Sequence, residues 1–441
     1  MAVEILNRVE EEGVYAEPLL DVSLSNHPHT KLQDRRLITE IVYGTLRMRG
    51  HLDWVIECLY RGKFNAMDMS IKNVLRTALY QLLFTERIPD FAIVDEAVEI
   101  TKKMRRAGSG LVNAILRNFI RKKNQIQYPE IGKDPAQHIS IVHSHPLWMV
   151  KKWIEMFGVE ETAALCKANN QVPPITVRVN TLTATRERVK EELSQHGFEV
   201  KDTIFSPDGL IISNRTMPAR ETDCYTSGRI QFQDEASQLI ARLVSPKPGE
   251  DILDICAGMG GKTTHLAAIM ENRGSILALD ISKKKIDAMC KNASRLNVTI
   301  VDPQVGDARK EPRRASLASF DRILIDAPCT GLGTLRRNPE IKWRICPEDA
   351  EGCSILQKAI LENAALYIKR GGSLIYSTCT ITNEENEAVI QDFTNRHPDF
   401  ICNCPPDAIN PSLVDDRGYF RSYPHRHGTD GFFGAIFVRD M

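Results

Sequence analysis

The sequence predicts three parts: an all-α bundle over residues 1–140, a small α+β module over 143–230, and a doubly wound α/β domain over 231–441. Three observations carry this. Apolar residues recur at helical spacing up to about residue 140, with no alternating run among them. A short extended run, a polar helix and further apolar runs then share a small stretch of chain, and from Gln231 onward strand-like runs alternate with amphipathic helices. At 441 residues the chain exceeds one ordinary core, so two or three domains are expected from length alone.

In the bundle, Ile71, Val74, Leu75, Ala78 and Leu79 lie on one helical face, and Val94, Ala97, Val98, Leu111, Ala114, Ile115 and Phe119 continue the pattern. Its last helix ends in Arg121, Lys122 and Lys123. Between Thr101 and Gln125 the chain also carries Lys102, Lys103, Arg105, Arg106 and Arg117 and no acid. A solvated helix face and a phosphate-binding face fit that run equally. Over the whole chain Lys plus Arg equals Asp plus Glu at 57 each, so affinity for a polyanion has to come from such local patches.

The 11 cysteines are scattered without a Cys-x-x-Cys, and only Cys402 and Cys404 are close in sequence, which indicates neither a zinc site nor a disulfide framework. Cys58, Cys166 and Cys290 are expected as small buried apolar residues. No basic and apolar leader opens the chain, and no segment approaches the roughly 18 apolar residues of a membrane span. A reduced cytoplasmic protein with no metal and no membrane partner is expected.

In the module, a helix around Trp148–Lys167 precedes Pro173 and Pro174, an extended run over Ile175–Asn180, a polar helix over Thr183–Gln195, and the apolar run Leu210–Ile212. So small a unit is expected to cap the domain that follows. There, the strand-like runs are Ile252–Ile255, Ser275–Asp280, Thr299–Val305, Asp321–Ile325, Ser373–Tyr376 and Phe432–Val438, with helices at Thr263–Met270 and Ser354–Ile368. A mostly parallel sheet follows.

The turn Asp254-Ile255-Cys256-Ala257-Gly258-Met259-Gly260-Gly261-Lys262-Thr263-Thr264 joins the first of these strands to the first helix. Its glycines admit a close ligand, and the helix start behind them offers open N–H groups. A phosphate-cradling loop of the form Gly-x-x-x-x-Gly-Lys-Thr is excluded, because Cys256 stands where its first glycine belongs. A dinucleotide turn is weakened by Thr263 in place of the third glycine. An adenosine-bearing cofactor remains. Asp280, 22 positions after Gly258, closes the second strand and suits ribose hydroxyls; Asp307, after the third, suits an exocyclic amine. Each alone reads as a helix cap, but with Asp254 three successive strands end in aspartate, which favours a ligand.

Two cysteines follow two further strands, Cys329 in Asp326-Ala327-Pro328-Cys329 and Cys379 in Ser377-Thr378-Cys379. A thiolate adding to C6 of a pyrimidine makes C5 nucleophilic enough to take a methyl group, and an acid near N3, here Asp326, steadies the charge that develops. The residues do not say which cysteine attacks.

Asp254 to Thr264, Asp326-Ala327-Pro328-Cys329-Thr330-Gly331 and Ser377-Thr378-Cys379 resemble the RNA cytosine-C5 methyltransferases. The rest of the chain resembles the bacterial 16S ribosomal RNA members of the Sun family. Asp34-Arg35-Arg36-Leu37, Tyr43-Gly44-Thr45-Leu46-Arg47 and Val112-Asn113-Ala114-Ile115-Leu116-Arg117 look like their NusB-like helical RNA-binding domain. Arg178-Val179-Asn180-Thr181-Leu182 looks like their middle module, and Thr429-Asp430-Gly431-Phe432-Phe433 like their closing strand. The resemblance implies a Rossmann-like class I methyltransferase domain, S-adenosylmethionine as cofactor, 16S ribosomal RNA as partner, Cys379 as the nucleophile and Cys329 as the thiol that assists release. It also implies cofactor contacts at Cys256, Ala257, Gly258, Met259, Gly260, Gly261, Lys262, Asp280, Asp307 and Asp326. The family usually has alanine and proline where Gly258 and Met259 stand. A DNA cytosine methyltransferase is the alternative enzyme, and an RNA-assembly protein without the chemistry the alternative class. Arg336, Arg337, Lys342, Trp343 and Arg344, basic residues around an aromatic, are expected to hold the RNA strand.

Overall fold

Asp68 starts the central helix of the N-terminal part, its carboxylate accepting from the N–H groups of Ser70 and Ile71, and Met69–Phe84 then runs uninterrupted. Ile71, Val74, Leu75, Ala78 and Leu79 face inward, all buried, against Val94, Ala97, Val112, Ile115 and Phe119 from the next two helices, Asp90–Arg105 and Ser109–Lys122. Burying such a face supplies most of a helix's stability in a folded protein. The computed structural model describes residues 1–86, 88–213, 218–312 and 315–440. In it the chain forms two compact units, Met1–Val172 with Leu335–Ile345, and Pro173–Thr334 with Cys346–Met441.

The first unit is helical among its described residues. It extends beyond residue 140: the expected helix at Trp148–Lys167 is two, Leu147–Phe157 and Val159–Asn169, and both cluster with the bundle. Gly158, at φ 79°, breaks them apart in a conformation only glycine adopts freely. Of the cysteines expected to be buried, Cys166 is, whereas Cys58 and Cys290 are exposed, because each lies on the outward face of its helix.

Leu335–Ile345 overturns an expectation. Lys342 is completely buried, and its ammonium donates to the carbonyls of Arg47 and Ser144, both at 2.8 Å, and to Oδ1 of Asn170 at 3.0 Å. All three donors are therefore used within the protein. The Trp343 indole donates to the Leu46 carbonyl at 2.9 Å, Arg344 to the Val9 carbonyl at 3.0 Å, and the buried Arg336 offers its carbonyl to Arg47 at 3.1 Å. Lys342 and Arg336 are thus anchors of the segment rather than RNA contacts.

The second unit holds two sheets. The strands β1 (Ile175–Val179), β2 (Glu199–Asp202), β3 (Gly209–Ser213) and β4 (Ile230–Phe232) form an antiparallel sheet in the order β2-β3-β1-β4. The larger sheet comprises β5 (Asp251–Asp254), β6 (Ser275–Asp280), β7 (Val301–Val305), β8 (Phe320–Asp326), β9 (Ile368–Thr378), β10 (Phe400–Asn403), β11 (Phe420–Ser422) and β12 (Phe432–Arg439). Its order is β10-β12-β9-β8-β5-β6-β7, with β11 on β12. From β7 to β9 neighbours are parallel; β12 runs antiparallel to β9. Pro303 is tolerated in β7 because that strand is the edge. A helical bundle, a small α+β module and an α/β domain with a mostly parallel sheet are what the sequence predicts.

Two residues of the Arg-Val-Asn motif on and after β1 tie the small sheet to the large one. Arg178 donates to the Gly261 carbonyl and the Gln233 side chain, both at 2.6 Å, and Asn180 to the carbonyls of Gly228 and Leu296 at 2.9 and 2.8 Å. Beside them Asp208 accepts from Arg242 and from His265 Nε2 at 3.0 Å. Burial pulls the His265 pKa down to about 3, aided by the Arg178 charge. Burial alone would raise Asp208, but His265 and Arg242 bring it down to about 2. Both shifts are depressions, so both groups stabilise the fold at neutral pH and lose that contribution on acidification. For His265 the window runs from its unfolded value of about 6.5 down to about 3. The second unit is expected to lose up to about 1.4 kcal/mol of stability per pH unit there. Denaturant melts of His265→Gln should show a shallower slope across that window.

Candidate active site

Asp254, Asp280, Asp326 and Thr378 are the last residues of β5, β6, β8 and β9, so the segments after them line one edge of the parallel sheet. Open α/β sheets gather ligands at this edge. After β5 the backbone turns through Gly258 and Gly260 at φ 59° and 78°, and the helix Gly261–Ile269 begins with no side-chain cap. Its first N–H groups are left for a ligand. A Cβ on Gly260 would sit 2.5 Å from Met289 Cγ, so only glycine fits.

Asp280 fixes the turn. Its Oδ2 accepts from the Gly258 N–H at 3.0 Å and its Oδ1 from the Ser282 N–H at 2.8 Å. Asp307 lies after β7 with both oxygens on Arg309, a pairing that holds its pKa down at about 2. Around these acids stand exposed apolar side chains, Met259 at 66%, Ile281 at 69% and Val305 at 49%. Ile281 follows Asp280 and Val305 precedes Gly306, so adjacency to the strand-end acids was the available sequence signal.

Asp254 is buried, its Oδ2 accepting from Thr263 at 2.7 Å and its Oδ1 without a partner, and burial raises its pKa to about 7. Lys262 points instead to Asp326, Nζ to Oδ2 at 2.6 Å, and packs over the Phe432 ring at 5.1 Å. Burial works against the lysine charge, but the Asp326 charge and hydrogen bond outweigh it and raise the Lys262 pKa. Asp326 Oδ1 also accepts from Ser377 at 3.1 Å.

Cys329 and Cys379 are free thiols brought to a sulfur–sulfur distance of 3.3 Å by the adjacent strands β8 and β9. The hydrogen bond with Cys379, together with burial, pushes the Cys329 thiol well above its ordinary value. Cys256 sits in the glycine turn, where burial likewise raises it. The structure thus brings Cys329, Cys379, Asp326 and Lys262 to one place, with Gly258–Gly261 and Asp280 along the same edge and Asp307 beside Arg309.

Comparison with known proteins places the chain in a family. Residues 241–438 match the family described as 16S rRNA methyltransferase RsmB/F, residues 1–121 the NusB family, and residues 145–218 the ferredoxin-like domain of RsmF/B-like methyltransferases. The probable ribosomal RNA small subunit methyltransferase B of Bacillus subtilis is 36% identical over 98% of this chain and 96% of its own length. The chain belongs to the ribosomal RNA small subunit methyltransferase B family. The enzyme of that name from Yersinia enterocolitica is 33% identical over 100% of this chain and 98% of its own. Among solved structures, that of PH0851 superposes with a TM-score of 0.83 at 30% identity, covering 99% of this chain and 97% of the other. A methyltransferase homologue from Pyrococcus horikoshii gives 0.60 at 28% identity over 70% of this chain and 99% of its own.

In this member of the methyltransferase B family, sequence reasoning passed over the residues that join the two cysteine loops. Glu385, buried without exposure, accepts from the Thr330 N–H at 2.8 Å and hydroxyl at 2.6 Å, from Thr382 at 2.7 Å and from Gln357 at 3.3 Å. Gln357 also donates to the Pro328 carbonyl at 2.9 Å. Gly333 donates to the Cys379 carbonyl at 2.9 Å and accepts from the Gly431 N–H at 2.8 Å, where a Cβ would meet the Gly431 oxygen at 2.0 Å. Nothing in spacing or composition marks a carboxylate six positions past Cys379 as their link.

Proposed function

We propose that this chain transfers a methyl group from S-adenosylmethionine to C5 of a cytosine in 16S ribosomal RNA through a covalent bond between Cys379 and C6. The thiol pair beside Asp326 and Lys262 carries the reading. S-adenosylmethionine, when bound, supplies the electrophilic methyl group. The partnerless Asp254 oxygen, the open helix start and the exposed Met259, Ile281 and Val305 fit its charged and aromatic ends.

Cys379 adds through sulfur to C6 as its proton leaves; the C5–C6 double-bond electrons move toward C5 and N3, and the Lys262 ammonium that Asp326 holds offsets the charge that develops. The hydrogen bond with Cys379 and burial push the Cys329 pKa up, which disfavours attack from that sulfur and is in keeping with attack by Cys379. Once C5 has used its electron pair to take the methyl group, the C5 proton passes to solvent, its bond pair re-forms the ring double bond, and the Cys379–C6 pair returns to sulfur, which the Cys329 thiol beside it meets with a hydrogen bond. The target base has to lie outside a helix for C6 to be reached.

Pure protein, 16S RNA and labelled S-adenosylmethionine should give label in 5-methylcytosine after digestion. Label in another nucleoside, or none, overturns the reading. Asp280 makes a separate prediction: Asp280→Ala frees the Gly258 N–H and removes an acceptor for ribose, at about 2 kcal/mol, so calorimetry should find S-adenosylmethionine bound about 30-fold more weakly.

A further inference from the structure

Two cysteine loops that have to act in sequence on one ring need a fixed separation, because a misplacement of about 1 Å costs on the order of 100-fold in rate. Cys329 sits on the loop after β8 and Cys379 on the loop after β9; neither loop is a regular element, yet their sulfurs are held at 3.3 Å. The holding group is buried. Glu385 Oε1 takes the Thr330 N–H and the Gln357 amide, and Oε2 takes the Thr330 and Thr382 hydroxyls. Thr330 adjoins Cys329, and its hydroxyl also meets that of Thr380, which adjoins Cys379, at 2.9 Å. The Tyr376 hydroxyl in turn donates to the Glu385 carbonyl at 2.6 Å, and Asn386 donates to the Thr380 carbonyl at 3.1 Å while accepting from Thr378 at 2.6 Å. One carboxylate thus collects donors from both cysteine loops and from the helix Pro347–Ala365.

We infer that Glu385 is the positioning residue that registers Cys329 against Cys379 and so sets the rate of product release rather than of attack. The inference rests on the covalent mechanism above. Cys379 continues directly from β9, paired along its length with β8 and β12, so its place survives loss of the carboxylate. Cys329 lies beyond Pro328, and on its far side Thr330 is held through Glu385. Without Glu385, addition to C6 proceeds, but the ring waits for a thiol that no longer sits beside it.

The test follows the RNA adduct and the labelled product with full-length protein, transcribed 16S RNA and labelled S-adenosylmethionine, for wild type, Cys329→Ala, Glu385→Ala, Glu385→Gln and the Cys329→Ala/Glu385→Ala double variant. Glu385→Ala should accumulate the denaturant-stable adduct as Cys329→Ala does, with turnover lower by on the order of 10- to 100-fold. The double variant should be no slower than Cys329→Ala alone, since both remove the same step. Glu385→Gln should restore release, because its amide oxygen can face the two N–H donors and its NH₂ the two hydroxyls, which turn to accept. A Glu385→Ala protein that forms adduct slowly and accumulates none, or whose loss adds in full to that of Cys329→Ala, overturns the inference. If Glu385→Ala does not fold, Thr330→Val, which deletes one hydroxyl donor, carries the same expectation of accumulation and the same refutation. Failure of wild type to methylate the RNA, with no adduct on Cys329→Ala, overturns the covalent mechanism itself, whereas adduct on Cys329→Ala with none on Glu385→Ala overturns only the role of Glu385.

Discussion

Cys379→Ala should abolish methyl transfer, by at least about 1,000-fold, and leave no RNA adduct, whereas Cys329→Ala should keep the attack and trap the adduct. The contrast draws on two thiols held 3.3 Å apart by adjacent strands, of which Cys329 is pushed well above its ordinary value by the hydrogen bond with Cys379 and by burial. Addition to C6 requires a thiolate, so the raised Cys329 pKa disfavours attack from that sulfur, in keeping with the proposed role of Cys379. Expulsion of that sulfur follows loss of the C5 proton to solvent, and the Cys329 thiol, 3.3 Å away, serves it by hydrogen-bonding the departing sulfur. Denaturing electrophoresis of protein incubated with 16S RNA and S-adenosylmethionine separates the cases. An adduct on Cys379→Ala, absent from Cys329→Ala, would reverse the roles.

Lys342→Met should destabilise the helical unit by about 3–5 kcal/mol and lower its melting temperature by about 10 °C. Methionine fills the volume of the lysine stem but leaves the Ser144 carbonyl and the Asn170 amide oxygen without this donor, while the Arg47 carbonyl, inside the helix Leu32–Leu59, loses its second bond. Each unsatisfied buried acceptor costs about 1–3 kcal/mol. Calorimetric melts measure the shift. Were Lys342 a phosphate contact, the substitution would leave stability alone and reduce the salt dependence of RNA binding by about one charge.

These residues also show what is legible in a sequence. The helices of the first unit were, because Ile71, Val74, Leu75, Ala78 and Leu79 repeat with the period of the helix they form. The break at Gly158 was not, since apolar residues keep helical spacing on both sides of it. The parallel strands β5, β6, β8 and β9 were legible as apolar runs ending in acids or in the Ser-Thr-Cys sequence. The short β10 and β11 were passed over: β10 has one buried and three exposed residues, a pattern no different from that of a loop.

The sequence by itself determined the glycine turn, the strand-end aspartates and both cysteines, because each depends on residues adjacent in the chain. Tertiary structure alone decided that the two thiols, 50 positions apart, stand side by side, that Lys262 turns to Asp326, that Lys342 is an anchor, and that Glu385 joins the two loops. The physical reason is the same in each case. Which donor meets which acceptor is set by the pairing of β8 with β9 and by the packing of Leu335–Ile345 with helices far away in sequence, and no local pattern encodes such a partner.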